Sequence, residues 1–388
     1  MNQADSEIMQ GLLKKAGYEI SDEGDLLIIN TCTVKDQTIK NFKKFLEQYK
    51  DKKIILAGCI AQTQKLEYSA IGTDQIDKVV DVVEETLNGN IVHYTKREKN
   101  ERLNLPKIRK NEIIEIIPIC QGCLDKCNFC QTKAARGHLF SYSTEAIIKQ
   151  MKEALAEGVK EIWLTSQDNG AYGKDIGTNL VELLKQILTI EGDYKIRIGM
   201  ANPNHLIDIA DEIYEILQNP KMFKFIHIPV QSGNNQVLKD MNRRYTVEQF
   251  IEICNKLKGI TLATDIIVGF PTETNEQFKD TLKLVKQIKF DVVNISKYSA
   301  RPHTFASKLK QLDKKVINHR SKELTKLFKE ISLERNKQWI GWKGKVLIND
   351  VNMGRNYAYK PIIFDNEMKL GSHQNIQIKE ANTFHLRA

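Results

Sequence analysis

The chain carries three closely spaced cysteines in the run Cys123-Leu124-Asp125-Lys126-Cys127-Asn128-Phe129-Cys130. Three thiolates at this spacing can ligate one iron–sulfur cluster, although a cubane cluster normally takes four protein ligands. A cluster held by three cysteines keeps one iron open. An open coordination position distinguishes a reactive metal site from a structural one. The run therefore predicts a reactive iron–sulfur centre.

Zinc binding by two CxxC pairs, Cys120/Cys123 and Cys127/Cys130, is the main alternative, with inert thiols as another. Zinc ribbons separate their pairs by roughly 12 to 20 residues, whereas here only three residues intervene. A disulfide framework is disfavoured because seven cysteines in 388 residues are sparse and odd in number. We expect Cys120 to be a buried strand residue and Cys254 to belong to the core.

The composition is that of an ordinary globular protein, with 41% hydrophobic and 28% charged residues. The first residues lack the apolar core of a secretory signal, and no stretch reaches the ~18 apolar residues of a membrane span. Free thiols that ligate a cluster need a reducing compartment, which predicts that the protein is cytoplasmic. We expect no membrane as a partner. A net charge of +9 is compatible with a polyanionic partner, although a lysine-rich surface is often only a solvated one.

Residues 1–100 alternate helical and strand patterns, which predicts a parallel, flavodoxin-like sheet. The expected helices and strands are Ser6–Lys15, Asp25–Asn30, Val34–Tyr49 and Lys53–Ala57. Cys32 and Cys59 each follow a predicted strand. Because ligands gather beyond the carboxyl ends of parallel strands, these two thiols can converge on one metal site. The alternative is that both are small buried residues at strand ends.

A lysine-rich linker, Lys96–Lys110, precedes a second unit at 109–337, in which six predicted strands alternate with helices. This pattern predicts a partial (β/α)6 barrel whose site lies at the carboxyl ends of the strands. Polar and glycine-rich clusters follow several strands, although such residues are also common in turns. These clusters are Ser166–Gly170, Asn202–Pro203, Pro229–Gly233 and Gly269–Glu273.

Residues 338–388 change to short β patterns, which predicts a small all-β barrel. Its basic and aromatic residues fit an OB-like nucleic-acid binder, in which bases stack and phosphates pair. They are Lys343, Lys345, Arg355, Tyr357, Tyr359 and Lys360. The alternative is a barrel that only caps the preceding unit.

Taken together, the motifs resemble those of the radical-SAM (S-adenosylmethionine) methylthiotransferases over essentially the whole chain. The motifs are Asn30–Val34, Ala57–Cys59, Gly122–Gly137, Trp163–Asp168, Pro229–Gly233, Met241–Arg243 and Thr264–Pro271. The stretches Gly170–Gly173, Asn294–Ser296 and Tyr298–Pro302 most resemble the archaeal and eukaryotic branch. That branch modifies N6-threonylcarbamoyladenosine (t6A) beside the tRNA anticodon.

The resemblance implies three domains: an N-terminal domain with an auxiliary [4Fe-4S] cluster, a radical-SAM core, and a C-terminal TRAM domain that binds tRNA. It makes Cys123, Cys127 and Cys130 the ligands of the cluster that cleaves SAM, and Cys32 and Cys59 ligands of the auxiliary one. The predicted SAM-binding residues are Phe129, Gln167, Asp168 and Gly269.

The reaction implied by the resemblance transfers a methylthio group to C2 of the adenine ring and uses two molecules of SAM. The expected partners are the anticodon stem-loop of tRNA and an electron donor such as ferredoxin or flavodoxin. We expect no catalytic side-chain base, because an unactivated aromatic C–H offers no acidic proton and the cofactor supplies the chemistry.

Two departures from the family pattern stand out. The run Met1–Glu7 matches the stretch that follows the family's first strand and first cysteine, so only Cys32 and Cys59 remain as auxiliary ligands. Either an upstream segment is missing from this sequence, or the auxiliary cluster is weak or lost. Ala134 also stands where relatives often have histidine. Alternative substrates are N6-isopentenyladenosine in tRNA or a ribosomal-protein aspartate, and a bare tRNA-binding remnant is a third possibility.

Overall fold

The structure is a computed structural model and describes residues 1–32 and 44–388. Its first unit is a parallel sheet of four strands in the order β1-β2-β3-β4. The strands are β1 (Leu26–Thr31), β2 (Lys53–Gly58), β3 (Ser69–Ile71) and β4 (His93–Tyr94), and the helices are α1 (Asn2–Lys15), α2 (Cys59–Thr63) and α3 (Val79–Leu87). The apolar run of β2 is buried from Ile54 onward because helices and neighbouring strands cover it, as expected for parallel sheets. The predicted parallel α/β sheet is confirmed.

Of the predicted helix at 34–49, residues 44–48 are helical, and residues 33–43 lie outside the described part of the chain.

The second unit contains six parallel strands that follow one another in chain order. They are β5 (Ile114–Pro118), β8 (Glu161–Thr165), β9 (Lys195–Ile198), β10 (Phe225–His227), β11 (Thr261–Val268) and β12 (Val292–Lys297). The ladders β5-β8-β9 and β10-β11-β12 are joined by a bridge between Ile196 and Met222 and by a hydrogen bond from the Ala201 amide to the His227 carbonyl (3.0 Å). The sheet is thus continuous, and the partial barrel is confirmed.

Helices cover this sheet, and a short antiparallel pair lies beside it. The helices are α4 (Thr132–Arg136), α5 (Thr144–Ala156), α6 (Leu180–Leu188), α7 (Pro203–Leu206), α8 (Ala210–Gln218), α9 (Asn235–Asp240), α10 (Val247–Lys256), α11 (Asn275–Ile288) and α12 (Lys314–Lys337), and the pair is β6 (Cys120–Gln121) with β7 (Phe140–Ser141). Sequence dictates where several of them begin. Thr246 and Thr274 form capping boxes at the starts of α10 and α11, and Ser143 caps α5.

The third unit is a six-stranded sheet in the order β16-β13-β14-β15-β18-β17. Its strands are β13 (Lys343–Asp350), β14 (Met353–Arg355), β15 (Pro361–Ile363), β16 (His373–Gln377), β17 (Glu380–Ala381) and β18 (Leu386–Arg387). They enclose a small core of their own that includes Val346, Ile348 and Ile362. An all-β C-terminal unit is therefore confirmed. Its identification as a TRAM domain and the boundaries 1–100, 109–337 and 338–388 stay predictions.

The C-terminal unit is fastened to the core by buried charges. Asp291, just before β12, accepts hydrogen bonds from Lys360 (2.8 Å) and from both Nε and Nη2 of Arg335 (2.8 Å each). Tyr359 packs on Phe223 and Phe225. The prediction of nucleic-acid contact is therefore wrong for Lys360, which is 5% exposed and already paired.

Lys343, Lys345 and Tyr357 remain exposed at the surface of the C-terminal unit. In the part of the chain that the structure describes, no helix combines the length and the apolar character needed to cross a membrane.

Candidate active site

The cysteine run forms a loop that follows β5 and β6, at the carboxyl end of the barrel's first strand. Gly122 begins it with φ +79°, and a Cβ atom there would overlap the His138 carbonyl, so only glycine fits. The Gly122 amide donates to Oε1 of Gln167 (2.7 Å). On the other side, the Asn128 amide donates to the Met241 carbonyl (3.0 Å). Bonds from two separate parts of the barrel thus fix the loop.

Cys123, Cys127 and Cys130 are each partly exposed on this loop, whereas Cys120 is fully buried, as predicted. Burial raises the pKa of Cys123 to about 12, and the charges of Asp168, Asp125 and Cys127 add to the rise. Burial also raises the pKa of Cys127, with Cys130 contributing. The raised pKa values keep the free thiols of Cys123 and Cys127 protonated at neutral pH, so a bound metal must displace their protons. The three cysteines suit a thiolate-ligated cluster, because their sulfur atoms lie in one loop and are close enough to affect one another's pKa values.

Asp168 lies directly beside this loop and is fully buried. Its Oδ1 accepts hydrogen bonds from the amides of Asn202 (2.9 Å) and Gly170 (3.1 Å). Burial raises its pKa to about 7, and the neighbouring Asp125 carboxylate adds to the effect. Ligating atoms of Asp168, Asp125 and Cys123 lie within 4.8 Å of one another. The structure therefore brings the predicted residues Gln167 and Asp168 to the cysteine loop, and their contact with SAM stays a prediction.

Phe129 and Cys130 line a cavity of about 320 Å³ at the carboxyl ends of the last three barrel strands. Polar side chains make up much of the remaining wall. These are Gln131, Thr132, Gln231, Asp265, Asn294, Ser296, Lys297, Ser299 and Arg301. Phe129 also packs against an apolar cluster that includes Phe270 and Tyr298. The predicted aromatic residue thus stands between the cysteine loop and a space large enough for a small organic group.

Gly269 has a structural role that is visible in the fold. Its φ is +77°, and a Cβ atom would lie 2.5 Å from a side-chain carbon of Ile317 on α12. Its amide donates to Oε2 of Glu273 (2.8 Å), which is also paired with Arg320 (2.8 Å). Gly269 therefore permits close helix packing, and its predicted contact with SAM stays untested.

Cys32 and Cys59 follow the neighbouring strands β1 and β2, whose last residues, Thr31 and Gly58, are in register. The two cysteines thus lie at the same sheet edge, as expected, and Cys32 contributes to a raised pKa of Cys59, after burial and against the opposing charge of Arg136. Helix α2, which begins at Cys59, packs on α4, which follows the cysteine loop.

The two cysteine sites are linked by buried charges as well as by these helices. Arg136, at the end of α4, donates to Oδ2 of Asp5 on α1 (2.6 Å). Arg102 of the linker lies 3.6 Å from the other oxygen of Asp5 and donates to the Thr73 carbonyl (2.7 Å). The linker and the cysteine-bearing part of the core thus hold the N-terminal sheet in a fixed orientation.

Sequence reasoning missed the contact between Arg243 and the cysteine loop. Nη1 of Arg243 donates to Sγ of Cys127 (3.2 Å), and Nη2 donates to Oδ1 of Asn202 (2.6 Å). Asn202 in turn donates to the Asp125 carboxylate. Arg243 lies in a motif that the sequence singled out, but 116 residues separate it from Cys127, and no local spacing reports such a contact.

Comparison with known proteins agrees with this geometry. Residues 117–285 match the Radical SAM superfamily, and residues 1–81 match the Uncharacterized protein family UPF0004. The chain is 40% identical to the probable threonylcarbamoyladenosine tRNA methylthiotransferase of Pyrococcus abyssi over 99% of its length and 96% of that protein. It is 43% identical to the human threonylcarbamoyladenosine tRNA methylthiotransferase, over 90% of this chain and 64% of the human protein.

Among solved structures, the radical S-adenosylmethionine methyltransferase TsrM from Kitasatospora setae aligns with a TM-score of 0.58 at 13% identity. The alignment spans 78% of this chain and 71% of TsrM, a likeness of fold alone. The sequence identity to the Pyrococcus abyssi protein is far higher, at 40%, and that alignment covers nearly the whole of both chains. The chain therefore belongs to the threonylcarbamoyladenosine tRNA methylthiotransferase family of radical SAM enzymes.

Proposed function

We propose that this protein methylthiolates C2 of t6A next to the tRNA anticodon, giving 2-methylthio-N6-threonylcarbamoyladenosine. The observation that carries the proposal is the cysteine loop: three partly exposed thiols, held at the barrel rim beside a cavity. Its relatives at about 40% identity bear the corresponding name.

A [4Fe-4S] cluster and SAM are the cofactors of this radical SAM enzyme. In our proposal Cys123, Cys127 and Cys130 would hold the cluster, and three thiolate ligands would leave it able to take SAM. Together, when bound, they supply a 5′-deoxyadenosyl radical, which can remove hydrogen from an unactivated aromatic carbon. We propose that Phe129, Gln167, Asp168 and Gly269 contribute to the SAM site.

Because the cofactors supply the radical chemistry, the protein has to hold the adenine nucleobase and exclude water. The residues that line the cavity beside Cys130 include Asn294 and Ser296 on β12 and the cations Lys297 and Arg301. Among the described residues of this lining, Asp265 supplies a carboxylate, which contacts His227 at 3.0 Å. A base that carries a threonine carboxylate and a carbamoyl group suits this lining, because each of its polar groups needs a partner when buried. An isopentenyl group offers this lining no hydrogen-bonding atom.

The auxiliary cluster has fewer candidate cysteine ligands in this sequence than the cluster at the cysteine loop. Cys32 and Cys59 supply two thiolates at one sheet edge, and the remaining cysteines of the sequence belong to the core unit. Two thiolates do not complete the ligand set of a cubane cluster, so we assign no step to this site.

We further propose that tRNA contacts the C-terminal unit through Lys343, Lys345 and Tyr357, since basic and aromatic side chains exposed together suit a phosphate backbone with unstacked bases. A low-potential donor such as ferredoxin or flavodoxin would supply the electron, and a reducing cytoplasm suits the free thiols.

The test is nucleoside mass spectrometry of tRNA from cells that lack their own enzyme and express this chain or its Cys127→Ala variant. We expect 2-methylthio-t6A with the parent chain and none with the variant. Methylthiolated isopentenyladenosine instead would contradict the substrate. Unmodified tRNA from cells in which the purified chain contains iron and cleaves SAM would contradict the proposed transferase activity.

A further inference from the structure

Arg243 is only partly exposed, and among the described residues its guanidinium has no carboxylate partner. Arg136 pairs with Asp5 at 2.6 Å, and Arg320 pairs with Glu273 at 2.8 Å. Across residues 1–32 and 44–388, the guanidinium of Arg243 makes no salt bridge within 4.0 Å. A guanidinium removed from water requires a compensating anion or a full set of acceptors.

The acceptors around Arg243 are neutral, with one exception. Nη2 donates to Oδ1 of Asn202 (2.6 Å) and to the Pro229 carbonyl (3.2 Å), and Nε donates to the Tyr245 hydroxyl (3.0 Å). Tyr245 itself donates to the Val230 carbonyl (2.7 Å), which requires a protonated phenol. The remaining contact is Nη1 to Sγ of Cys127 at 3.2 Å. Cys127 becomes an anion when it ligates a metal.

The orientation of Arg243 is fixed from several sides. Its guanidinium carbon lies 5.0 Å from the centre of the Tyr245 ring, and Asn202 is itself anchored through Asp168 and Asp125. A guanidinium held in this way cannot easily turn from Cys127 to solvent. It therefore acts as a fixed positive charge with an N–H directed at one ligand sulfur.

We propose that Arg243 is a positioning residue for the cluster: it donates a charge-assisted N–H···S hydrogen bond to the Cys127 thiolate and thereby raises the cluster's reduction potential. This inference rests on the proposed ligation by Cys127. Hydrogen bonds to sulfur and net charge are among the properties that set iron–sulfur potentials. One-electron reduction adds a negative charge to the cluster, so a nearby cation stabilises the reduced state more than the oxidised state.

The experiment compares four anaerobically reconstituted full-length proteins: the parent chain, Arg243→Gln, Arg243→Lys and the control Arg244→Gln. Arg244 is the exposed neighbour, and its contact is Asp125 at 3.8 Å rather than a thiol. Iron and sulfide are measured first. The reduction potential is then measured by titrating each protein with dithionite and monitoring the EPR signal of the reduced cluster.

We expect a lower potential in Arg243→Gln, an intermediate value in Arg243→Lys, and the parent value in Arg244→Gln. A parent-like potential in Arg243→Gln overturns the proposal, and so does an equal shift in Arg244→Gln. If Arg243→Gln binds no iron, Arg243→Lys decides: the proposal expects a potential below the parent's there, and a parent-like potential overturns it. A parent chain that binds no cluster overturns both this proposal and the proposed function. A chain with a cluster but no effect on tRNA overturns only the function.

Discussion

Substituting Gly122 by alanine should destabilise the protein and reduce its iron binding. A residue other than glycine at φ +79° costs about 1–2 kcal/mol. The new Cβ atom also overlaps the His138 carbonyl, so the backbone must shift, which adds about 1–3 kcal/mol. The total is about 2–5 kcal/mol. We expect this cost to displace the loop that carries Cys123 and to reduce the iron content severely.

Gly158→Ala is a matched control, because Gly158 also has a positive φ (+95°) but no atom within 4 Å of its Cβ position. It should lose about 1–2 kcal/mol of unfolding free energy and keep its iron. The assay combines iron per chain after anaerobic reconstitution with thermal unfolding of the iron-free proteins. If Gly122→Ala binds as much iron as Gly158→Ala and unfolds at the same temperature, the role assigned to this loop geometry is wrong.

The remaining predictions concern buried groups away from the loop. Asp291→Asn should destabilise the protein by about 3–5 kcal/mol, because it leaves Lys360 buried without its charge partner. Asp365→Asn, in an exposed pair, should cost less than about 1 kcal/mol by the same thermal unfolding assay. Although burial opposes it, Lys360 helps to hold the pKa of Asp291 below its usual value. Its contribution to stability is thus present above about pH 4 and should fall away in acid, with a smaller loss in Asp291→Asn. Cys120→Ala should retain full iron content by chemical assay, since Cys120 is fully buried; loss of iron would make it a ligand. Asp5→Asn should increase hydrogen exchange in α2 as measured by mass spectrometry, because it removes the ion pair to α4; unchanged exchange would show that apolar packing alone joins the two units.

The sequence alone was sufficient for the parallel first sheet, the six-stranded barrel and the cysteine loop. Each depends on local information: apolar runs such as Ile54–Ala57 predict buried strands, and cysteines three or four residues apart must lie in one loop. The start of a helix is also set locally, because a cap such as Thr246 acts on its own first turn. The sequence also predicted that Cys32 and Cys59 lie at the same edge of the sheet, because neighbouring parallel strands end at one edge.

Only the tertiary structure revealed which charges the protein uses internally. Lys360 looks like a phosphate ligand in the sequence, yet it lies buried against Asp291, and Arg243 reaches Cys127 from 116 residues away. The identity of a basic residue gives its charge, but it does not show which group the residue contacts in the folded protein. Burial and long-range contact arise when distant segments pack together, and the cost of removing a charge from water then decides which groups must pair. Local patterns thus determined the chain's elements and its cluster motif, while packing determined the electrostatic environment of that motif.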